Sequence, residues 1–407
     1  MKKITMTLLA LMLCLGMVAV PAAAAEGMDV YVTISSEGEL VAAREKVTVT
    51  DADGDGALTI NDALFCAHEA LYEGGAEAGY AYGDTEYGIS LNKLWGVENG
   101  GSYGYYVNDV GALSMSDPIK AGDCVSAFSY ADLEAWSDAY AYFDQTVVET
   151  AAGKSVKLAL TYNSGYDESW NQVFEPCAGA IVTADGKEYT TDENGAVELS
   201  FDKAGTYVVS ASSETATLVP PVAVVTVRSF ADTVGCWAAD EIESVVAKGL
   251  FGGTGKGFEP KTVMSRAMLV TVLHRLDGEP AVEGENAFAD VVEDAYYADA
   301  VAWANANGIV TGYAGSFQPN DDITREQMAA ILWRYAKYKG YDVSVGEDTN
   351  ILSYEDAFSI QEYAIPAMQW ACGAGLINGS DGCLNPAGGA AREQVAVILS
   401  RFMTNVK

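Results

Sequence analysis

The chain has only two histidines, His68 and His274, in 407 residues. Neither has an evident Ser, Cys or Asp partner set, so a nucleophilic triad has no basis and an enzyme is not expected. Paired carboxylates are numerous in so acidic a chain, but no motif sets two of them together. Cys-x-x-Cys is absent, so none of the seven cysteines falls into a zinc spacing. Basic residues are scarce: 23 Lys and Arg stand against 57 Asp and Glu, a formal net charge of −34. That shortage excludes general nucleic-acid affinity, which needs cations to neutralise phosphates. The excess of acid is expected to be a solvated surface that keeps an exposed protein from aggregating. Beyond about residue 25 no apolar run is long enough to span a bilayer.

The first 25 residues read as a signal peptide. Lys2 and Lys3 form a positive start, Ile4 to Val20 an apolar stretch, and Ala22-Ala23-Ala24 a small-residue cleavage site. The apolar stretch is short and a cleavage site follows it, so a membrane anchor is the weaker reading. Cys14 follows Leu13, not a small residue, and makes a poor lipoprotein cysteine. Export leaves Cys66, Cys124, Cys177, Cys236, Cys372 and Cys383, which allow fifteen pairings. Cys372 and Cys383 flank a glycine turn and are the expected local bridge.

Length and a 50% hydrophobic content suggest two or three domains. Residues 26–144 read as an α+β domain. Asp29 to Ser35 and Lys46 to Thr50 alternate apolar and polar residues on either side of Ser36-Glu37-Gly38, which predicts two strands. Asp51-Ala-Asp53-Gly-Asp55-Gly56-Ala57-Leu-Thr59-Ile-Asn-Asp62 then places oxygen donors at EF-hand spacing with Gly at the sixth position. Asp51, Asp53, Asp55, Thr59, Asp62 and the Ala57 carbonyl are the expected Ca²⁺ ligands; the alternative is a metal-free acidic loop. Position twelve is Asp, not Glu, as in dockerin-like loops. A helix over Ala63 to Tyr72 should follow, with Leu64, Cys66, Ala67 and Leu71 inward and His68 at the boundary.

Gly101-Ser-Tyr103-Gly-Tyr105-Tyr106-Val107-Asn108-Asp109 and Ile119-Lys-Ala-Gly122-Asp123-Cys-Val125 resemble a bacterial family related to the C-terminal domain of transcobalamin and intrinsic factor. The resemblance implies a compact ββα-plus-strands fold, and some relatives bind cobalamin. The cluster Tyr80, Tyr82, Tyr87, Tyr103, Tyr105 and Tyr106 could then stack a ligand, although sheet-face packing is the preferred reading. Residues 145–228 hold short β-rich runs bounded by Gly-Lys, Asp-Gly and Asn-Gly turns, which predict a β-sandwich. Thr191 to Leu199 with Ala204 to Val208 is similar to bacterial immunoglobulin-like spacer domains.

From residue 229 onward the chain repeats itself. Gly249/308/375, Pro260/319/386, Arg266/325/392, Leu273/332/399 and Arg275/334/401 are all separated by 59 and then 67 residues, as are Phe258, Phe317 and Leu384. The longer second step is expected in the polar loop Asp342 to Ser353. Each unit opens on an aromatic-x-Asp step (Phe230-Ala-Asp232, Phe288-Ala-Asp290, Tyr354-Glu-Asp356). A helix, a glycine turn and a second helix follow, the second starting at Ser265-Arg266, Thr324-Arg325 or Ala391-Arg392. Units 229–287, 288–345 and 346–407 thus resemble the S-layer homology family. The resemblance implies a mainly helical pseudo-threefold module that attaches proteins non-covalently to secondary polymers of Gram-positive cell walls. Arg266, Arg325 and Arg392 would lie in grooves for an acidic, often pyruvate-bearing sugar, with Asp232, Asp290 and Asp356 for its hydroxyls. Thr324, Trp303, Trp370, Gly312 and Gly379 complete the expected polymer-binding set. The alternative is that each arginine caps or pairs within its own unit. Ser244 replaces the tryptophan of unit one and Ala391 the hydroxyl residue of unit three, so the groove of Arg325 is expected to be the principal one. The expected protein is secreted and wall-anchored, with the first domain outward for adhesion or structure; capture of a small, cobalamin-like ligand is the alternative.

Overall fold

Alternating side chains and a two-residue turn build the first hairpin. In the computed structural model, which describes residues 27–85, 88–98, 103–282 and 287–406, β1 (Met28–Ser36) and β2 (Glu39–Val49) pair antiparallel. Glu37 and Gly38 between them both take positive φ, 52° and 83°, as the right-handed twist of a tight hairpin requires. The expected signal peptide, Cys14 and Tyr87 lie outside the described residues. No helix of the described chain is long and apolar enough to cross a membrane.

The helix after the acidic loop, α1 (Ile60–Leu71), starts three residues before Ala63. Thr59 caps it: its hydroxyl accepts from Asp62 N–H, while the Asp62 carboxylate accepts from Thr59 N–H at 2.9 Å. Its buried face is Ile60, Ala63, Leu64, Ala67 and His68, whereas Leu71 in the last turn is exposed and Cys66 half-buried. The expected inward set is therefore corrected at three positions. His68 can be fully buried because both ring nitrogens find backbone partners. Its Nδ1–H donates to the Leu64 carbonyl at 2.6 Å, and its Nε2 accepts from Trp95 N–H at 3.0 Å. The rings of Tyr80 and Trp95 enclose it at 4.9 and 5.2 Å.

Burial drives the His68 pKa down from 6.5 to about 4, the Leu64 carbonyl opposing weakly. The folded chain thus binds fewer protons than the unfolded one between those values. The stabilisation is complete above pH 6.5 and is lost as pH falls toward 4, about 3 kcal/mol in all. NMR titration of the imidazole should show it neutral down to about pH 4; a midpoint near 6.5 would contradict this.

The short α2 (Gly75–Gly79) and the hairpin of β3 (Ala81–Thr85) and β4 (Gly88–Lys93) follow. β5 (Tyr103–Val107), β6 (Val110–Gly111) and β7 (Cys124–Ser129) complete a sheet of order β2-β1-β7-β5-β6, in which β7 runs parallel to β1. Tyr80 and Tyr106 are buried, Tyr103 and Tyr105 half-buried, and Tyr82 is exposed, so these tyrosines are distributed through packing and do not line one face.

Ten strands follow: β8 (Ala139–Phe143), β9 (Val147–Ala151), β10 (Ser155–Tyr166), β11 (Gln172–Pro176), β12 (Ile181–Ala184), β13 (Lys187–Thr190), β14 (Ala196–Ser200), β15 (Gly205–Ser212), β16 (Leu218–Val219) and β17 (Ala223–Arg228). They form one sheet of order β11-β10-β8-β16, with β14 on β10, and another of order β13-β12-β15-β17-β9. Asp185-Gly186 turns β12 into β13 with φ of 50° and 70°, as its Asp-Gly composition predicts. This β-rich content agrees with the expected multidomain architecture.

The chain divides into two compact units. One comprises the chain through Phe143, Leu160–Ile181 and Ser210–Val222; the other comprises Asp144–Ala159, Val182–Val209 and the chain from Ala223 on. In the first, Tyr106 and Tyr140 stack with centroids 3.6 Å apart, Tyr140 donates to Asp109 at 2.8 Å, and Gln172 donates to the Tyr106 hydroxyl at 2.6 Å. Among the described residues the second holds six α-helices: α3 (Ala239–Ala247), α4 (Arg266–Leu276), α5 (Ala298–Ala306), α6 (Arg325–Tyr338), α7 (Ile365–Gly373) and α8 (Arg392–Asn405). The equivalent pairs Leu269 and Leu273, Met328 and Leu332, and Val395 and Leu399 are buried in one shared core, as the repeat requires.

Candidate functional site

Each repeat positions its arginine by the same sequence of local contacts. The first helix ends at Gly249, Gly308 or Gly375, each near φ 70°. The next N–H then returns to the helix: Leu250 to Val245 O at 3.0 Å, Ile309 to Ala304 O at 2.8 Å and Leu376 to Ala371 O at 2.8 Å. That is the left-handed glycine cap, which supplies partners for the last carbonyls. The turn after it passes against the aromatic of the aromatic-x-Asp step. A Cβ on Gly253, Gly312 or Gly379 would lie 2.7, 2.4 or 2.8 Å from the ring of Phe230, Phe288 or Tyr354.

The aspartates staple the far side of that turn. Asp232 accepts from Phe258 and Glu259 N–H at 3.0 and 2.7 Å. Asp290 accepts from Phe317 and Gln318 N–H at 2.8 and 2.7 Å, and Asp356 from Leu384 and Asn385 N–H at 2.8 and 2.6 Å. Sugar hydroxyls are the expected partners of these carboxylates; in the structure both oxygens of each hold backbone.

The three units close into a ring. Met264 N–H donates to Ala390 O at 3.0 Å, Ile323 N–H to Met264 O at 2.9 Å, and Ala390 N–H to Ile323 O at 2.9 Å. One residue into each second helix, Arg266, Arg325 and Arg392 N–H donate to Asp321, Gly388 and Thr262 carbonyls of the neighbouring unit. The helix N-termini thereby satisfy donors that have no partner in their own helix. Thr324 caps α6, its hydroxyl accepting from Gln327 N–H at 3.3 Å. Ser265 does the same for α4, while Ala391 has no hydroxyl to offer.

The guanidiniums also cross to the next unit. Arg266 Nε donates to Phe317 O at 2.9 Å, Arg325 Nε to Leu384 O at 2.8 Å, and Arg392 Nε to Phe258 O at 2.7 Å. This excludes pairing within the arginine's own unit. Beyond that bond the three differ. Arg392 is buried under the rings of Phe251 and Phe258, and its Nη2 donates to Gly252 O at 2.9 Å. Arg266 lies over Phe317 alone, at 5.0 Å. Arg325 meets Leu384, which offers no ring. Among the described residues, the terminal nitrogens of Arg266 and Arg325 have no hydrogen bond or ion pair. Burial pushes all three guanidinium pKa values down, and nearby carboxylates oppose it: Asp321 at Arg266, Asp356 at Arg325 and Glu259 at Arg392. They remain cations at any physiological pH, incompletely solvated and not neutralised.

Arg325 opens into a groove of about 770 Å³ lined by Asp356, Gly379, Asn385, Arg401 and Trp237. Arg266 opens into one of about 450 Å³ lined by Gly312, Gln318, Arg334 and Tyr363. Each groove takes its arginine from one unit, its turn and second arginine from the next, and an aromatic from the third. That aromatic was not anticipated. Trp237, Tyr296 and Tyr363 keep the spacing of 59 and 67 and are 63, 66 and 51% exposed. The offset that revealed the arginines would have revealed them too. Buried Glu326 helps to place Tyr363, accepting from Gln361 N–H at 3.0 Å and from the Tyr363 hydroxyl at 3.4 Å.

Residues 229–267 and 287–329 match the S-layer homology domain. The third repeat, outside that match, makes the same backbone bonds. The chain is 32% identical over 208 residues to the "Surface-layer 125 kDa protein" of Lysinibacillus sphaericus, covering 48% of this chain and 17% of that protein. It is 30% identical over 174 residues to the "Amylopullulanase" of Thermoanaerobacterium thermosulfurigenes (42% and 9%) and 32% over 176 residues to the "Exoglucanase XynX" of Acetivibrio thermocellus (42% and 16%). The chain thus spans less than a fifth of the length of each of these relatives. Solved immunoglobulin-domain structures of Dscam1 align at 12% identity over 36% of this chain and 31% of theirs, with a TM-score of 0.15, too low to compare folds.

Within the repeats two expectations are corrected. Trp303 and Trp370 are buried in the core, against Tyr335 and Phe402, and do not face a groove. They lie on the inner faces of α5 and α7, where large apolar rings fill the space between units, and both indole nitrogens lack a partner. Cys372 and Cys383 do not bridge; no disulfide forms among the described residues. Cys372 belongs to the half-buried flank of α7, and burial raises its thiol pKa to about 11.

The acidic loop in the first unit is partly as anticipated. Carboxylate oxygens of Asp51, Asp53 and Asp55 lie within 4.8 Å of one another. Asp51 shapes the loop, accepting from Gly54, Asp55 and Gly56 N–H at 2.7, 3.1 and 3.0 Å. Asp62 is drawn elsewhere: its carboxylate accepts from Ala52 N–H at 2.8 Å and from Thr59 N–H and hydroxyl at 2.9 and 2.8 Å. Its place at the third position of α1 makes it a capping residue, and Thr59 is engaged with it.

Proposed function

We propose that the repeat module holds this protein non-covalently to an anionic polymer of a Gram-positive cell wall, and that the grooves of Arg325 and Arg266 receive the polymer's acidic sugar. One observation supports this above the others: a guanidinium whose terminal nitrogens make no salt bridge among the described residues stands in a groove that all three units build. A guanidinium pairs a carboxylate through two parallel bonds. Two such arginines, Arg325 with Arg401 or Arg266 with Arg334, give the local attraction that an acidic protein needs on an acidic polymer, since long-range repulsion is screened beyond about 8 Å at physiological salt. The exposed aromatic would cover the apolar face of the sugar ring. On this reading the protein is exported and displayed at the cell surface. The immunoglobulin-like β region serves as spacer, and the transcobalamin-like first domain is an outward module for adhesion or structure with no catalytic part. Small-ligand capture finds less support, because Tyr80 and Tyr106 are taken up in packing. The test is cosedimentation of the intact chain with purified walls before and after removal of secondary polymer; equal pelleting with stripped walls would refute it.

We further propose that the loop holds Ca²⁺ on Asp51, Asp53 and Asp55 with the Ala57 carbonyl. Three carboxylate donors converge there, and a bound divalent cation would offset their mutual repulsion. Calcium should raise the thermal midpoint of the first unit, and chelator should lower it. Asp55→Asn should weaken calcium binding; an absence of calcium heat by calorimetry would end the proposal.

A further inference from the structure

Two exposed tryptophans stand where the backbone would favour glycine. Trp136, between β7 and β8, has φ 55°, and Trp170, between β10 and β11, has φ 64°. A bulky side chain in the left-handed region is an outlier that its surroundings must hold in place. Here the surroundings do so. Trp136 N–H donates to Asp132 O at 3.1 Å, and its indole Nε1–H donates to Leu133 O at 2.9 Å. Trp170 N–H donates to Asp167 O at 3.0 Å, while the Asp167 carboxylate accepts from Ser169 and Asn171 N–H at 2.8 and 2.9 Å. With the Trp136 indole N–H tied into its own loop, its ring faces are what remains to present. Both side chains are solvent-exposed, Trp136 60% and Trp170 83%.

Both loops belong to the first unit, and each tryptophan has a tyrosine beside it. Tyr130 lies 6.2 Å from Trp136, and Tyr166 lies 6.3 Å from Trp170. Tyr166 pairs with Gln172 across β10 and β11, Gln172 donates to the Tyr106 hydroxyl at 2.6 Å, and the rings of Tyr106, Phe128 and Tyr130 follow at 6.3 and 5.2 Å, so packed side chains join the two loops. Around the rings, residues 130–138 and 163–172 carry Asp132, Glu134, Asp138, Asp167 and Glu168 and no lysine or arginine. Asp132 is ionised at any physiological pH, since the Ala135 N–H and the Ser137 hydroxyl hold its carboxyl at about 2.

We propose that this surface docks a basic segment of a partner polypeptide, with arginine side chains laid on the faces of Trp136 and Trp170. Aromatic faces attract cations, tryptophan most strongly, and a planar guanidinium stacks where an ammonium cannot. The carboxylate rim complements the same charge and repels any anion. A neutral glycan would use the rings but gain nothing from the rim. The site belongs to the first unit, whereas the repeat grooves belong to the second.

Calorimetry of the intact chain with a hexa-arginine peptide, a hexa-lysine peptide and cellohexaose, at ionic strength near 0.15 M, tests the proposal. Arginine peptide should bind, more tightly than lysine peptide. The double variant Trp136→Gly, Trp170→Gly should lose about tenfold in affinity. It keeps every charge, and because glycine suits positive φ its thermal midpoint should equal or exceed that of the parent chain. Undiminished peptide binding by that variant would mean that charge alone acts, and would overturn the proposal. So would tryptophan-dependent binding of cellohexaose without such binding of the peptide.

Discussion

Arg325→Ala should reduce binding of the intact chain to purified walls by about ten- to a hundredfold, the equivalent of the 1.5 to 3 kcal/mol of a charge-assisted hydrogen bond. Arg266→Ala should have a smaller effect and Arg392→Ala the smallest on binding. The order follows from how much of each guanidinium is already engaged. Arg392 donates to two carbonyls of the first repeat and lies between two rings, so little of it is left for a ligand. Arg266 is covered by one ring, and Arg325 by none. Arg325→Ala also removes the bond to Leu384 O, so loss of binding must be separated from loss of the fold. Arg325→Lys does this: it keeps the charge but not the planar fork, and should bind weakly at an unchanged unfolding midpoint. If Arg325→Ala binds walls like the parent chain and Arg266→Ala or Arg392→Ala does not, the ranking fails. If none of the three matters, the groove reading fails.

The repeat module was legible because its signal is an offset, and an offset survives changes of residue type. Six sets of residues at 59 and 67 fixed the cap glycines, the second helices, their inward leucines and the arginines before any contact was known. The same offset does not say which way a side chain points. Trp303 and Trp370 sit on the lattice as squarely as Trp237, Tyr296 and Tyr363, yet the first pair fills the core, whereas the second set is exposed and Trp237 and Tyr363 line grooves. Nor could it show that Asp232, Asp290 and Asp356 staple backbone, because that depends on a turn folding back 26 to 29 residues later. In the first unit the calcium spacing predicted the convergence of Asp51, Asp53 and Asp55. It could not decide whether Asp62 would turn to the ion or to the N-terminus of α1. His68 was placed at a boundary because its helical stripe was judged by polarity. The backbone groups of Leu64 and Trp95 that make its burial tolerable lie outside any periodic pattern.

Gly312→Ala should unfold the repeat module at markedly lower temperature, and Gly308→Ala should not. Both glycines sit at positive φ, 63° and 67°, so each alanine carries the left-handed penalty of about 1 kcal/mol. At Gly308 nothing lies within 4 Å of the added Cβ, and the cost ends there. At Gly312 the Cβ would lie 2.4 Å from the Phe288 ring and 2.6 Å from the Ser316 carbonyl oxygen. The oxygen cannot give way cheaply, because it accepts from Tyr313 N–H at 2.8 Å and the next residue, Phe317, is held by Asp290. Nor can Phe288 move freely, since it is buried and packs 5.7 Å from Phe317. Overpacking of this kind adds about 1 to 3 kcal/mol, for a total near 3 kcal/mol and a fall of roughly 6 to 12 °C in a module of this size. The groove of Arg266 is lined by this turn and should lose its shape with it, while the groove of Arg325 depends on Gly379 instead. Thermal unfolding of the two variants beside the parent chain decides the matter: equal midpoints for Gly308→Ala and Gly312→Ala would show that contact with Phe288 and Ser316 does not constrain the turn.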